Sequence, residues 1–341
     1  MKNRVIISFF LISIFLISSC NRSNPNIGWT HPSSSLDNKG IRSVCSIGAN
    51  LYVGSDYGAY MSSNGGNTWV LMSASLVNTV KNDPSYNVYN ADTTIRYVFS
   101  DGIAFYAIVN QIQPTSNYFS SWIFKTIDNG VSWSKVWTSV GVGGITCISF
   151  VDNKIFVENG SGIISSSSDN GNTWSHQFDT QEGLLFYGDA SPVVSDGTRF
   201  ITANGGRTIE SSDNGQTFQE LPNSYGYVAT IGSQLFGIDR GGMSYPAHNI
   251  YRSANNGGVW TNISSGIVSG YVPQLIGPLY TDGTSLYCGT NERVYKSTDY
   301  GNSWTKVGGD IPSQSLTPEF LLKNGGFLYA FTGYGVFKTP A

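Results

Sequence analysis

Ser167-Ser168-Asp169-Asn170-Gly171-Asn172-Thr173-Trp174 is the stretch on which the fold turns, because it does not stand alone. Variants run from Ser62 to Trp69, Thr126 to Trp133, Ser211 to Phe218, Ser253 to Trp260 and Ser297 to Trp304. The third position holds Asn64, Asp128, Asp169, Asp213, Asn255 and Asp299. The closing aromatics are Trp69, Trp133, Trp174, Phe218, Trp260 and Trp304, with gaps of 64, 41, 44, 42 and 44 residues. A period of 40–45 residues is the spacing of multi-stranded propeller blades. The segment itself is turn chemistry: Asp or Asn bonds nearby backbone N–H groups, and Gly takes positive φ without a Cβ clash. The aromatic then opens a returning strand with a large apolar ring.

A second series lies upstream of the first. Gly48-Ala49, Asp101-Gly102, Asp152-Asn153, Asp196-Gly197, Gly232-Ser233, Asp282-Gly283 and Asn324-Gly325 each begin a hairpin turn whose second strand carries an aromatic. There are seven hairpins and six boxes. The seventh unit reaches Gly335-Val336-Phe337-Lys338-Thr339 without a box, while Gly28-Trp29-Thr30 matches Ser303-Trp304-Thr305. We therefore expect an all-β, seven-bladed propeller of four-stranded antiparallel blades over residues 28–341, its first strand completing its last blade. Such closure removes strand edges that would otherwise pair with other chains.

The repeat resembles the Asp-box, or BNR, repeat of sialidases, sortilin-type receptors, xyloglucan-cleaving glycosidases and the seven-bladed photosystem assembly-factor propellers. The resemblance implies that the box lies between the third and fourth strands of a blade, away from the binding face, and is structural.

Composition agrees with many short strands. The 341 residues include 40 Gly, 20 Tyr, 18 Phe and 8 Trp but only 12% charged residues, about half the usual share. A net charge of −3 supplies no basic field for nucleic acid, which is not an expected partner. Cys45, Cys147 and Cys288 form no CxxC pattern, so buried thiols are expected and neither a disulfide framework, a metal site nor a cofactor.

The N-terminus reads as an address. Lys2, Asn3 and Arg4 precede an apolar run from Val5 to Ile17, shorter than the ~20 residues of a membrane span. Ile17-Ser18-Ser19-Cys20 resembles a bacterial lipoprotein signal, which implies a signal peptide over 1–19, lipidation of Cys20 and a tether over 20–27. The expected location is the cell envelope, with the membrane contacted through the N-terminal lipid and the propeller a monomer.

Function is sought opposite the boxes, where turns between second and third strands meet the connectors between blades. Insertions expected there are Met72–Thr94, Val109–Ser121, Asp179–Ala190, Asp239–His248, Ile263–Gln274 and Gly308–Glu319. Loops on a rigid scaffold commonly bind ligands. The candidate binding residues are Tyr118, Tyr187, Tyr245 and Tyr271, which combine apolar area with a hydroxyl, and four arginines able to hold a carboxylate. Arg42 and Arg96 follow Ile at matched starts of innermost strands, and Arg240 and Arg293 fall between second and third strands. Tyr225 and Tyr227 belong to the same Tyr-rich set.

We expect a non-catalytic propeller that binds a protein, peptide or glycan. The alternative is a glycan-processing glycoside hydrolase of sialidase type. The Arg-Ile-Pro signature of sialidases is missing, since the one Ile-Pro, Ile311-Pro312, follows Asp310. Glycosidase carboxylates sit about 5–9.5 Å apart, and Asp92, Asp179, Glu182, Asp189, Asp239, Glu292 and Glu319 are spread over several blades. His31 and His176 each follow a Trp by two residues, as exposed strand positions would.

Overall fold

The computed structural model describes residues 28–83, 95, 97–112, 118–142, 144–159, 163–179, 191–204, 207–223, 225–239, 249–254, 257–267, 278–291, 293–312 and 318–341. Seven antiparallel sheets follow one another along the chain, six with four strands and the last with three. They are blades 1 to 7, covering 41–71, 97–142, 145–179, 194–220, 227–262, 279–306 and 320–340. In each, consecutive strands are neighbours. The first strand of every blade touches the first strand of the next, and that of blade 7 touches that of blade 1. The molecule is a closed seven-bladed β-propeller.

The fourth strand of blade 7 comes from the N-terminus. Thr30 pairs antiparallel with Lys338, with Thr30 N donating to Lys338 O at 2.8 Å and Lys338 N to Thr30 O at 2.9 Å. Trp29 stands where the box aromatics stand in other blades. Its Nε1 donates to Val307 O at 3.2 Å, as Trp174 donates to Val136 O and Trp304 to Ile263 O. Each acceptor lies three residues beyond the box aromatic of the preceding blade.

Alternation along the strands explains the core. Successive side chains of a strand point to opposite faces of its sheet, and both faces of a blade are covered by neighbours. Tyr52 packs with Phe105, Val98 and Trp122 of blade 2. Leu51 and Val53, on either side of it, pack with Tyr329 and Phe331 of blade 7. Phe156 faces blade 4, whereas Ile155 and Val157 face blade 2. The core is a ring of apolar clusters, one at each junction between blades, and Trp29 belongs to the cluster joining blades 6 and 7.

Hydroxyls stitch the inner strands together: Val98 N donates to Ser43 Oγ at 2.7 Å and Val193 N to Ser149 Oγ at 2.8 Å. Cys147 and Cys288 are buried and Cys45 is half-buried, and none of the three is in a disulfide. Burial pushes the Cys45 and Cys288 thiols up, away from thiolate.

Two insertions differ from expectation. Residues Ser73–Lys81, expected in a loop, form a helix that buries Leu76 and Val80 against the junction of blades 1 and 2. Its Ser75 hydroxyl donates to Gly130 O and accepts from Trp133 Nε1 at 3.1 Å, so it packs beside a box and not on the opposite face. The insertion at Val109–Ser121 is largely ladder, since Val109 pairs with Trp122 and Ile112 with Phe119. Blade 2 consequently has second, third and fourth strands of 8, 9 and 9 residues and stands tall on the face opposite the boxes.

Candidate functional site

Because the blades run up and down, turns between first and second strands share a face with the boxes. The boxes have one internal geometry. In blade 3, Ser167 Oγ donates to Asp169 Oδ1 at 2.8 Å and accepts from Gly171 N at 2.9 Å. Thr173 N and Oγ1 donate to the two carboxylate oxygens at 2.8 and 2.6 Å, and Trp174 Nε1 donates to Gly171 O at 2.9 Å. Asp128, Asp213 and Asp299 repeat this with Ser132, Thr217 and Ser303. Their carboxyls are lowered to about 2 by the hydroxyl four residues on, then by its backbone N–H, then by the leading hydroxyl.

Asn64 serves with an amide, accepting from Thr68 N at 2.9 Å and donating to Thr68 Oγ1 at 2.9 Å. In blade 5, Gly257 N donates to Ser253 Oγ at 2.9 Å and Trp260 Nε1 to Gly257 O at 2.9 Å; Asn255 lies outside the described residues. Trp69 and Trp133 close their turns in the same way. Phe218 has no donor and packs on Phe156.

On the opposite face, one group of described polar side chains lies between blades 7, 1 and 2. Arg42, second residue of the innermost strand of blade 1, donates from Nε to Asp56 Oδ1 at 2.9 Å and from Nη2 to Oδ2 at 2.6 Å. Its guanidinium side chain is half exposed. Tyr97, first residue of blade 2, and Glu319, just before blade 7, lie within its electrostatic reach. Gly40 has φ +58, and a Cβ there would overlap the Asp56 carboxylate, so the chain entering blade 1 can approach only as glycine. Lys39 Nζ lies 4.9 Å from the ring centre of Tyr57 and 5.8 Å from that of Tyr60, within cation–π range. Tyr57 is 64% exposed and Tyr334, in the corresponding turn of blade 7, 43%.

Arg293 does not join this group. It opens the third strand of blade 6, where Nε donates to Asp310 Oδ1 at 2.8 Å beside Lys306 Nζ at 2.6 Å. Lys306 and Arg293 hold the Asp310 carboxyl below its ordinary range. Arg96, Arg240, Tyr187, Tyr245, Tyr271 and Cys20 lie outside the described residues. Tyr118 is described only as a strand residue paired with Val142.

Tyr225 is corrected: it is buried, 4.2 Å from Trp260 between ring centres, and seals the junction of blades 4 and 5. Of the carboxylates considered for hydrolysis, Asp92, Glu182, Asp189 and Glu292 lie outside the described residues. Asp179, Asp239 and Glu319 belong to blades 3, 5 and 7, no two of which are adjacent in the ring. His31 keeps solvent contact, but its ring stacks on Phe337 at 4.9 Å and its Nε2 lies 2.8 Å from Asp37 Oδ1. Among the described residues, no cluster of His, Cys, Asp and Glu could hold a metal ion.

Sequence reasoning missed two charged groups. Glu158 is fully buried in blade 3, and Thr202 Oγ1 of blade 4 lies 3.3 and 3.4 Å from its carboxylate oxygens. Arg199 is buried on the box side of blade 4, where it donates to Asp196 Oδ2 at 2.9 and 2.7 Å and pairs with Glu210. The alternation of strand residues could have flagged Glu158 as inward-facing; its neighbour on another blade could not be read.

No family model matches the chain, and no curated protein does. Among solved structures it is similar to YCF48 from Cyanidioschyzon merolae, at TM-score 0.60 and 12% identity, over 92% of this chain and 98% of that one. A second YCF48 structure, bound to D1 peptide, gives TM-score 0.60 and 13% identity over 92% and 96% of the two chains. The extracellular domain of BT4673 from B. thetaiotaomicron gives TM-score 0.62 and 10% identity, over 92% of this chain and 40% of that one. An ancestral GH74 enzyme gives TM-score 0.57 and 15% identity, over 91% and 46%. At these identities the likeness is one of fold, shared by a peptide-bound protein, an extracellular domain and an enzyme.

Proposed function

We propose that this propeller is held at a cell-envelope membrane by a lipid on Cys20 and binds an extended peptide segment of a protein partner on the face opposite its boxes. The boxes are structural staples on this reading: their carboxylates already accept several hydrogen bonds each from their own turns. The observation that carries the proposal is the mouth between blades 7, 1 and 2. There the Arg42–Asp56 ion pair, with Glu319 within electrostatic reach of Arg42, stands next in the chain to the exposed ring of Tyr57, which Lys39 overlies, with tall blade 2 alongside. Aromatic area flanked by donors and acceptors suits main-chain amides and mixed side chains. The peptide-bound YCF48 structure is consistent with peptide binding on a propeller of this fold.

The test is selection of linear peptides from a random library against the full chain, run beside a glycan array and a fluorogenic glycoside panel. Tyr57→Ala and Arg42→Ala should each weaken a selected peptide by about tenfold or more, the scale of an interface hot spot at ~1–2 kcal/mol. Asp213→Asn, on the other face, should leave its affinity unchanged. Glycoside turnover abolished by one carboxylate substitution on the loop face would replace this proposal with the hydrolase.

A further inference from the structure

We infer that the Asp-box face is the membrane-facing side of the ring and rests its exposed aliphatic side chains on the lipid interface. The inference builds on the anchoring at Cys20 proposed above. Its first support is the place where the tether joins the ring. Trp29 occupies the position of a seventh box aromatic, so the described chain begins at Gly28 on the box side of blade 7. Residues 20–27 span at most roughly 30 Å when fully extended, and the apolar run Val5–Ile17 precedes them. A body tied so closely by one face presents that face to whatever surface holds the tether.

The second support is the distribution of exposed apolar side chains. On the box face, blade 2 presents Ile103, Ile127 and Val131 at 82, 78 and 77% exposure, blade 5 presents Val259 at 64%, and blade 7 presents Phe327 at 37%. They flank the tether on both sides around the ring. The box face also exposes one tyrosine, Tyr300 at 46%, whereas the large side chains exposed on the opposite face, Tyr57, Tyr227 and Tyr334, all carry hydroxyls and suit a wet interface. Val70 and Leu71, also exposed, belong to the outer edge of blade 1.

Turn chemistry does not ask for these aliphatics. Ile127 stands where the five other boxes have Ser63, Ser168, Ser212, Ala254 and Thr298, and Val131 where they have Asn67, Asn172, Gln216, Gly258 and Asn302. The hydrogen bonds of the blade 2 turn run through Thr126, Asp128, Gly130 and Ser132 instead. Scattered aliphatics pressed against the headgroup boundary by a covalent anchor add their own buried apolar area to that of the acyl chains. Lys154, Arg252 and Lys338 reach the box turns beside the ionised Asp128, Asp169, Asp213 and Asp299, so the face carries both signs of charge and suits a zwitterionic surface.

The test uses the full chain reconstituted in phosphatidylcholine vesicles, with an environment-sensitive fluorophore on single cysteines. Ile127→Cys, Ile103→Cys and Val259→Cys sample the box face, Tyr57→Cys and Tyr334→Cys the other, and the unsubstituted chain labelled in parallel gives the background of its own thiols. Nitroxide-bearing lipids should quench the box-face labels several-fold more than those at 57 and 334, with a blue-shifted emission only at the former. Equal or greater quenching at 57 and 334, or none at the box-face positions, would overturn the inference. The mass of the N-terminal peptide from membranes tests acylation of Cys20 separately, so an acylated chain with no box-face quenching would leave the anchor standing and refute the orientation.

Discussion

Replacing Trp29 with Ala tests whether the N-terminal segment closes the ring. Trp29 is buried among Tyr287, Val294, Ile311, Leu321, Leu328 and Phe337, at the junction of blades 6 and 7. Truncating a buried Trp to Ala typically costs about 3–5 kcal/mol, with the spread set by how far the site collapses. The lost indole donor also leaves Val307 O without its 3.2 Å partner, and loss of such a partly buried hydrogen bond contributes about 0.5–1.5 kcal/mol of the total. Trp29→Phe keeps most of the ring but not the donor, so a loss of about 1–2 kcal/mol is expected.

Urea unfolding followed by fluorescence gives both values, and size-exclusion chromatography reports the second consequence. A loosened Thr30 pairing exposes the last strand of blade 7 as an edge, which favours association between chains. Trp29→Ala within about 0.5 kcal/mol of the parent, the range of an ordinary surface change, together with an unchanged elution volume would refute closure by this segment.

Other predictions follow from single contacts. Asp128, Asp169, Asp213 and Asp299 have folded values near 2, below the unfolded value of about 4. Their stabilisation is therefore complete above pH about 4 and lost as pH falls toward about 2; acid titration of Asp169→Asn with Asp213→Asn should show a shallower loss in that window. Tyr300 has φ +59 where three other boxes place Asn129, Asn170 and Asn214 in the same conformation. Tyr300→Asn should raise stability by about 0.5–1 kcal/mol in denaturant unfolding, since Asn tolerates the left-handed region better. Arg199→Ala leaves Asp196 and Glu210 buried without their cation and should cost about 3–5 kcal/mol, read by the same unfolding curves. Gly40→Ala should displace Asp56 from Arg42, lowering stability by roughly 1 kcal/mol or more for the positive φ and weakening the selected peptide.

The ring was legible because its information is local. Each box and each hairpin turn fits within about eight residues, so Asp, Gly and an aromatic at fixed offsets disclose a turn without knowledge of its neighbours, and Trp29 could be matched to Trp304 for the same reason. The helix at Ser73–Lys81 gave no such sign, since its N-cap is Met72 without a side-chain cap and its first turn holds no acidic residue. Packing of Leu76 and Val80 against blade 2 makes it helical instead. The site was harder to read because its contacts cross the chain. Arg42 could be placed at the start of an inner strand, but its partner Asp56 is 14 residues away and Glu319 arrives from the other end of the sequence. Tyr225 looked like its loop-borne neighbours and proved to be core, because Gly237 leaves room for its ring.

Photo-crosslinking of a selected peptide to the full chain, with the adducts mapped by mass spectrometry, is the direct measurement of which face binds. Adducts on residues around Lys39, Arg42, Tyr57 and Tyr334, lost in Tyr57→Ala, are expected; adducts on the box turns at 62–69, 126–133 or 297–304 would contradict a binding face opposite the boxes.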